Sequence, residues 1–292
     1  MVTGETQAQV VTGQKPRDDQ LEIFALTHAG KVRKTNQDHF LVCALKRRVD
    51  VHLSSLPDAS ELTAPGDRLA FLAMVADGVG SSLLGEEASR RALERVTQYL
   101  AQSINCYYTA DTADDSGFSQ ALENAAMQVH SELADEAARD PERRGMATTL
   151  TLLLGDFPRG YLLQVGDSRA YLLRDGKLAQ ITRDQTMAQE LIDLGVLKPA
   201  DAPGSRWASM LSSSIGGSQS APVVSRIEER WGDVGMLCSD GLTRHVPDER
   251  IKERLSSREP VRAICEGLLQ DALDAGGADN ITIVVVRVAE KR

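Results

Sequence analysis

The strongest constraint on the fold is the way short apolar runs and long amphipathic segments are segregated along the chain. Runs rich in strand formers occur at 21–27, 40–45, 69–76, 148–154, 161–165, 170–173, 223–228, 235–238 and 281–288. Two stretches have helical period instead. Over 86–104, Ala88, Ala92, Val96 and Leu100 fall on one face, and over 117–139 Leu122, Ala126, Val129 and Leu133 do the same. A further helix is expected at 260–275, entered through Pro260 and left at Gly276-Gly277. Arg174-Asp175-Gly176 reads as a hairpin turn, because Asp-Gly tolerates positive φ. With strands and helices segregated in this way, the helices should cover the faces of mainly antiparallel sheets. The expected class is α+β and layered.

The segments between these elements read as loops. Residues 1–20 are polar, with neither a basic start nor an apolar stretch, and read as a mobile tail before one domain at 21–289; residues 290–292 form the end. Residues 46–67 carry Pro57, Pro65 and Gly66 and read as an exposed insertion. Residues 184–221 hold one short helix at 186–194, then Pro199, Pro203, Gly204 and a serine-rich run, and read as a flap. No apolar run approaches the roughly 20 residues of a membrane span, so the expectation is a soluble, cytoplasmic protein. The widely spaced Cys43, Cys106, Cys238 and Cys265 disfavour a disulfide framework or a zinc cluster. With 33 basic against 42 acidic residues the net charge is −9, which argues against a nucleic-acid partner. A small anionic substrate stays open, because one arginine or a bound metal reverses a local field.

Aspartates cluster at the ends of the apolar runs. Asp77 closes 69–76, Asp167 closes 161–166, Asp240 closes 235–239, Asp279 stands before 281–286 and Asp38 before 40–42. Aspartate is a poor strand residue, and a buried unpaired carboxylate costs several kcal/mol. One such placement is explained by turn preference alone. Five that converge would repel strongly in a low-dielectric cleft unless cations sat between them. Oxygen-only ligands select Mg²⁺ or Mn²⁺, and none of His28, His39, His52, His130 and His245 forms a pair at helical zinc spacing.

Other motifs fail. Asp77-Gly78-Val79-Gly80 is followed by Gly85, too late for a dinucleotide fingerprint, and no G-x-x-x-x-G-K-[ST] run exists. Neither Ser168 nor Ser239 lies in a G-x-S-x-G elbow.

Six segments do match a family in order. They are Gly30-Lys31-Val32-Arg33-Lys34-Thr35-Asn36-Gln37-Asp38, Asp77-Gly78-Val79-Gly80, Gly145-Met146-Ala147-Thr148-Thr149-Leu150, Val165-Gly166-Asp167-Ser168-Arg169-Ala170-Tyr171, Cys238-Ser239-Asp240-Gly241-Leu242 and Gly277-Ala278-Asp279-Asn280-Ile281-Thr282. The chain resembles the metal-dependent protein phosphatases (PPM, or PP2C-type serine/threonine phosphatases) in their bacterial form, over about 21–288.

The resemblance implies a four-layer α-β-β-α sandwich and hydrolysis of phosphoserine and phosphothreonine in proteins by direct attack of a water shared by two Mg²⁺ or Mn²⁺ ions. It assigns Asp77 to bridge both ions, the Gly78 carbonyl to bind one, and Asp240 and Asp279 to hold the other. Asp38 would sit beside the metal-bound waters, either binding a metal directly or through one of those waters, and Asp167 with Asp240 would form a third, weaker metal site. Arg33 would grip the substrate phosphate with its planar fork. The implied partners are phosphorylated proteins and a cognate Ser/Thr kinase pathway, with no nucleic acid and no membrane.

The chain departs from the pattern at Gln37, where many members have glutamate; at Ser81 and Ser82, in and after the Asp77 turn; at Val79; and at Gln185, where a histidine is common. Gln37 and Ser81 motivate a second reading, a phosphatase-like regulatory or binding module with weak turnover. The complete aspartate set favours an enzyme, since a binding-only module has no chemical reason to keep it. A third reading keeps the chemistry and takes a phosphoserine regulator of a partner-switching pathway as target. Arg33 taken alone reads as part of an exposed strip with Lys31 and Lys34, and Lys46-Arg47-Arg48 as a solvated loop.

Overall fold

The computed structural model describes residues 15–46, 49–57, 69–80, 82–107 and 116–289. Every strand pairing among the described residues is antiparallel. The first sheet has the order β1 (Leu21–His28), β12 (Ile281–Val288), β11 (Val234–Cys238), β8 (Arg169–Arg174) and β9 (Lys177–Gln180). The second runs β10 (Val223–Glu228), β7 (Arg159–Val165), β6 (Leu150–Asp156), β4 (Ala70–Val79), β2 (Asp38–Leu45) and β3 (Val49–Ser54), with β5 (Ala147–Thr148) against the end of β4.

The helices take the outer faces. α1 (Ser82–Tyr107) and α2 (Ser116–Arg139) pack on the second sheet, and α5 (Asp248–Leu255) and α6 (Val261–Asp274) on the first. The short α4 (Asp240–Thr243) follows β11, and α3 (Met187–Asp193) lies in the expected flap. This is the four-layer α-β-β-α sandwich.

The near-continuous apolar character of β4 follows from its place in the middle. A strand covered on both faces has no polar side to show, so its period of two is hidden in the sequence. Leu72, Met74 and Ala76 face α1 and α2, while Phe71, Ala73 and Val75 face the other sheet. In β2, Leu41, Cys43 and Leu45 face the helices, and Phe40 and Val42 the other sheet. In β12, Ile281, Ile283 and Val285 point to α6, and Val284 to the other sheet.

Several boundaries differ from the sequence reading. The strand containing 69–76 continues through Asp77 and Gly78 to Val79, so those residues lie in β4 rather than in a turn; the bend comes at Gly80, with φ 111°. Asp38 is the first residue of β2. The 148–154 run is broken at Thr149 into β5 and β6. Within the expected insertion at 46–67, Val49–Ser54 forms β3, while 47–48 and 58–67 lie outside the described residues. Of the expected tail, 1–14 lie outside the described residues, and Lys15 pairs with Asp156 at 2.9 Å. The hairpin turn is as expected, with positive φ at Asp175 (50°) and Gly176 (71°). No described helix is long and apolar enough to cross a membrane.

Candidate active site

The β2–β4 ladder sets Asp38 directly opposite Asp77. Asp38 shares the parity of Phe40 and Val42, and Asp77 that of Phe71, Ala73 and Val75, so both carboxyls continue the rows that face the space between the sheets. The opposite sheet answers with hydroxyls on the matching rows. Ser239, just past β11, follows Leu237, and Thr282 precedes Val284.

These hydroxyls reach Asp38, which is only 2% exposed. Asp38 Oδ2 accepts hydrogen bonds from Ser239 Oγ at 2.7 Å and from Thr282 Oγ1 at 2.8 Å. Behind them Thr27 Oγ1 lies 2.7 Å from Thr282 Oγ1, and Asn36 Nδ2 donates to Thr27 Oγ1 at 2.8 Å. An amide nitrogen only donates, and an ionised carboxylate only accepts, so the protons in this chain all point from Asn36 toward Asp38.

Asp77 is fixed through its backbone. Its N–H donates to Thr149 Oγ1 at 2.9 Å, and its carbonyl accepts from Thr149 N and Thr148 Oγ1, both at 2.9 Å. Gly78 follows with its N–H on the Gln37 carbonyl at 3.2 Å, while a Cβ there would collide with the Gly85 carbonyl. Gly241 is packed in the same way against the Asn280 carbonyl, which brings the start of α4 beside Asp279.

Asp240 and Asp279 are held by arginines. Arg33 grips Asp279 with two bonds, Nε to Oδ1 at 2.8 Å and Nη2 to Oδ2 at 2.9 Å. Arg244 pairs with Asp240 and also places Nη1 3.2 Å from Asp279 Oδ2. Asp167 is buried in the middle of the short loop between β7 and β8, where Gln185 Oε1 accepts from Gly166 N at 2.8 Å and Gln185 Nε2 donates to Ala221 O.

The electrostatics reflect carboxylates crowded together out of water. Burial raises Asp38 to about 7, against the opposing effect of its Ser239 and Thr282 bonds. Burial and the charge of Asp240 raise Asp167 to about 8. Asp77 is pushed well above the carboxylate range by burial and then by Asp38, Asp240, Asp167 and Asp279. Burial also raises Asp240, with Arg244 opposing the shift.

Arg33, Asp77, Gly78, Asp167, Asp240 and Asp279 line one open cleft of about 600 Å³, and Asp38 lies buried behind Asp77. The candidate metal ligands and Arg33 are thus brought to one place, whereas Gln185 lies outside the cleft lining and Ser81 outside the described residues. Left without a role by the sequence reading are Ser239 and Thr282 behind Asp38, Thr149 under Asp77, and Arg244 and the flap residue Arg206, which line the cleft. A signal for Thr282 was available in its alternation with Val284; none marks Arg244.

The donor set fits a hard cation. Asp38 Oδ1 and Asp240 Oδ1 are buried and have no hydrogen-bond partner. Among the described residues no three His, Cys, Asp or Glu side chains already form a closed ligand set; the carboxylates of Asp240 and Asp279 engage arginines instead. Every candidate donor is an oxygen, the choice of Mg²⁺ or Mn²⁺ rather than zinc.

Comparison with known proteins agrees with this geometry. The family model for protein phosphatase 2C matches residues 56–282. The serine/threonine protein phosphatase PstP of Mycobacterium tuberculosis is 36% identical over 222 residues, 76% of this chain and 41% of that protein, so the chain spans about two fifths of its length. The protein phosphatase PhpP of Streptococcus pneumoniae is 28% identical over 275 residues, 93% of this chain and 99% of that one. The solved structure of the Mycobacterium tuberculosis phosphatase superposes with a TM-score of 0.70 at 32% identity, covering 92% of this chain and 99% of that one. The catalytic domain of PstP in complex with 2 manganese ions gives 0.68 at 31% identity, with the same coverage. With its two antiparallel sheets, its cleft of aspartates and a family model matched over most of its length, the chain belongs to the protein phosphatase 2C family.

Proposed function

We propose that the chain is a Mg²⁺- or Mn²⁺-dependent phosphatase that hydrolyses phosphoserine and phosphothreonine in proteins. The observation that carries this reading is the pair of buried oxygens, Asp38 Oδ1 and Asp240 Oδ1, that meet no N–H or hydroxyl donor while both residues lie against the Asp77 carboxyl, at a cleft walled by Arg33. Unpaired buried carboxylates are costly, and a divalent cation is the partner that satisfies them.

In this reading Asp77, Asp240, Asp279 and the Gly78 carbonyl would hold two cations, Asp38 would back them, and Asp167 with Asp240 would offer a third position. Cations bound there would supply an acidified water and positive charge beside the phosphoryl oxygens. The chain's own groups do the rest. Thr148 and Thr149 hold Asp77 in place, and Ser239 and Thr282 orient Asp38 and favour its ionised form. Arg33 leaves Asp279 and takes two phosphate oxygens with its fork, a contact that strengthens as charge spreads over them. The flap residues Arg206, Ser209 and Met210 wall the cleft on the substrate side.

The substrates would be phosphorylated proteins supplied by a Ser/Thr kinase. The buried free thiols Cys43, Cys238 and Cys265 suit a reducing compartment, the cytoplasm. The buried amide Gln37, which lines the cleft, favours weak turnover as the second reading.

Hydrolysis of p-nitrophenyl phosphate and of a phosphothreonine peptide tests the proposal. Turnover should require Mn²⁺ or Mg²⁺, stop with chelator, and fall by about 100-fold or more in Asp77→Asn. Turnover indifferent to chelator, or an Asp77→Asn protein as active as the wild type, would sink the reading.

A further inference from the structure

Arg244 stands one helical turn after Asp240, at the C-cap of α4. Its side chain is 42% exposed, and its guanidinium reaches back to Asp240 and across to Asp279. Arg33 approaches Asp279 from the other side, and the two arginines share one oxygen. Asp279 Oδ2 accepts from Arg33 Nη2 at 2.9 Å and from Arg244 Nη1 at 3.2 Å. Two guanidiniums that meet at a single oxygen repel each other, and only the carboxylates between them make the arrangement favourable. If divalent cations claim Asp240 and Asp279, the two forks are left adjacent, charged and without a counter-anion at the rim of the cleft. A dianion with tetrahedral oxygens is the ligand that such a pair matches.

We infer that Arg244 is a second phosphate-binding residue of this site, held on Asp240 and Asp279 until divalent cations take those carboxylates. The inference rests on the phosphatase reading for the identity of the anion. It gives the site an internal exchange of counter-ions. Arg244 competes with the incoming metal for Asp240 and Asp279, and once displaced it adds its fork to that of Arg33 on a phosphate monoester. Competition for the same carboxylates makes the coupling reciprocal: phosphate that draws Arg244 away favours the metal, and the metal favours phosphate.

Calorimetric titrations on the full chain test it without turnover. Mg²⁺ is titrated into the wild type, Arg244→Ala and Arg244→Lys, and inorganic phosphate is then titrated into each Mg²⁺-saturated protein. In Arg244→Ala, Mg²⁺ should bind about three- to ten-fold more tightly, because a competing cation has gone. Phosphate should bind about ten-fold or more weakly, through loss of a charge-assisted contact. Arg244→Lys keeps the charge and loses the fork, so Mg²⁺ affinity should stay near wild type while phosphate binding falls by a few-fold. Unchanged or weakened Mg²⁺ binding in the alanine variant overturns the inference, as does unchanged phosphate binding in either variant. If Arg244→Ala does not fold, the lysine variant alone decides: phosphate affinity equal to wild type overturns the inference. A wild type that never hydrolyses phosphate esters counts against the phosphatase reading and leaves both titrations interpretable.

Discussion

Asp38 and Asp77 are register partners on adjacent antiparallel strands, with both carboxyls directed into the layer between the two sheets. Two carboxylates so placed cannot both ionise cheaply without a cation, and this couples pH, metal and stability. Burial raises Asp38 to about 7 and Asp167 to about 8, and pushes Asp77 well above the usual carboxylate range. The metal-free folded state therefore keeps protons that the unfolded chain, with carboxylates near 4, has released. Stability is fully present below about pH 4 and is lost as pH rises through these folded values. His39 runs the other way. Burial lowers it from 6.5 to about 4, so its share is present above 6.5 and is lost as pH falls through 4. Between pH 6.5 and 8 the pH dependence of the His39 share fades and the carboxylates dominate. In chelator, the unfolding free energy should fall by more than about 1 kcal/mol per pH unit across that window. Saturating Mn²⁺ should flatten or reverse the trend, because the metal takes the place of the protons. Thermal and urea unfolding at several pH values check this; a metal-free stability that is level or rising from 6.5 to 8 would refute it.

Ser239 and Thr282 reach Asp38 from the opposite sheet, so their hydroxyls join the two sheets through one carboxylate oxygen. Removing a donor to a buried carboxylate costs about 2 kcal/mol, since the hydrogen bond is charge-assisted. Ser239→Ala should cost this much in unfolding free energy at pH 8 with Mn²⁺, where Asp38 is ionised. Part of the loss reflects the backbone, because Ser239 Oγ also accepts from Thr282 N at 2.9 Å. In an Asp38→Asn background the same substitution should cost clearly less, and a double-mutant cycle measures the difference. Strictly additive losses would mean that the hydroxyl does not act through Asp38.

The layered fold and the cluster of Asp77, Asp167, Asp240 and Asp279 were legible because strand runs and helical period are local signals, and because aspartate is conspicuous at the end of an apolar run. What was not legible depends on tertiary placement. β4 is covered on both faces, so no alternation marked that Asp77 lies within the strand and shares the parity of Phe71, Ala73 and Val75. β3 was passed over inside a stretch read as an insertion from its prolines and glycine, although Val49-Asp50-Val51-His52-Leu53-Ser54 alternates apolar and polar residues at the period of a strand, and it pairs with β2 at the sheet edge. The charged α5 buries only Ile251 and Leu255, too few to show a period. Arg244 could not be chosen from the chain's other arginines, since its pairing with Asp240 one helical turn away is ordinary and its second partner, Asp279, lies 35 residues away and comes near through the packing of Gly241 on Asn280.

Gly78 shows how closely the backbone must approach to build the site. Its φ lies outside the left-handed region, so conformational freedom is not the reason for glycine here. The reason is space: a Cβ would overlap the Gly85 carbonyl at the start of α1 and come within 2.8 Å of the Gln37 carbonyl. Both obstacles are backbone, so no side-chain rotation relieves them. Gly78→Ala must push β4 away from α1 or from the segment before β2, moving Asp77 relative to Asp38. A destabilisation of about 3 kcal/mol is expected, in the range of overpacking a fixed interior, together with a loss of Mn²⁺ affinity larger than stability alone would cause. Gly204→Ala is the control, because nothing lies within 4 Å of a Cβ there. It should change unfolding by less than about 0.5 kcal/mol and leave Mn²⁺ binding unaltered. If Gly78→Ala bound Mn²⁺ as tightly as Gly204→Ala, the close contact between β4 and α1 would not be what sets the position of Asp77.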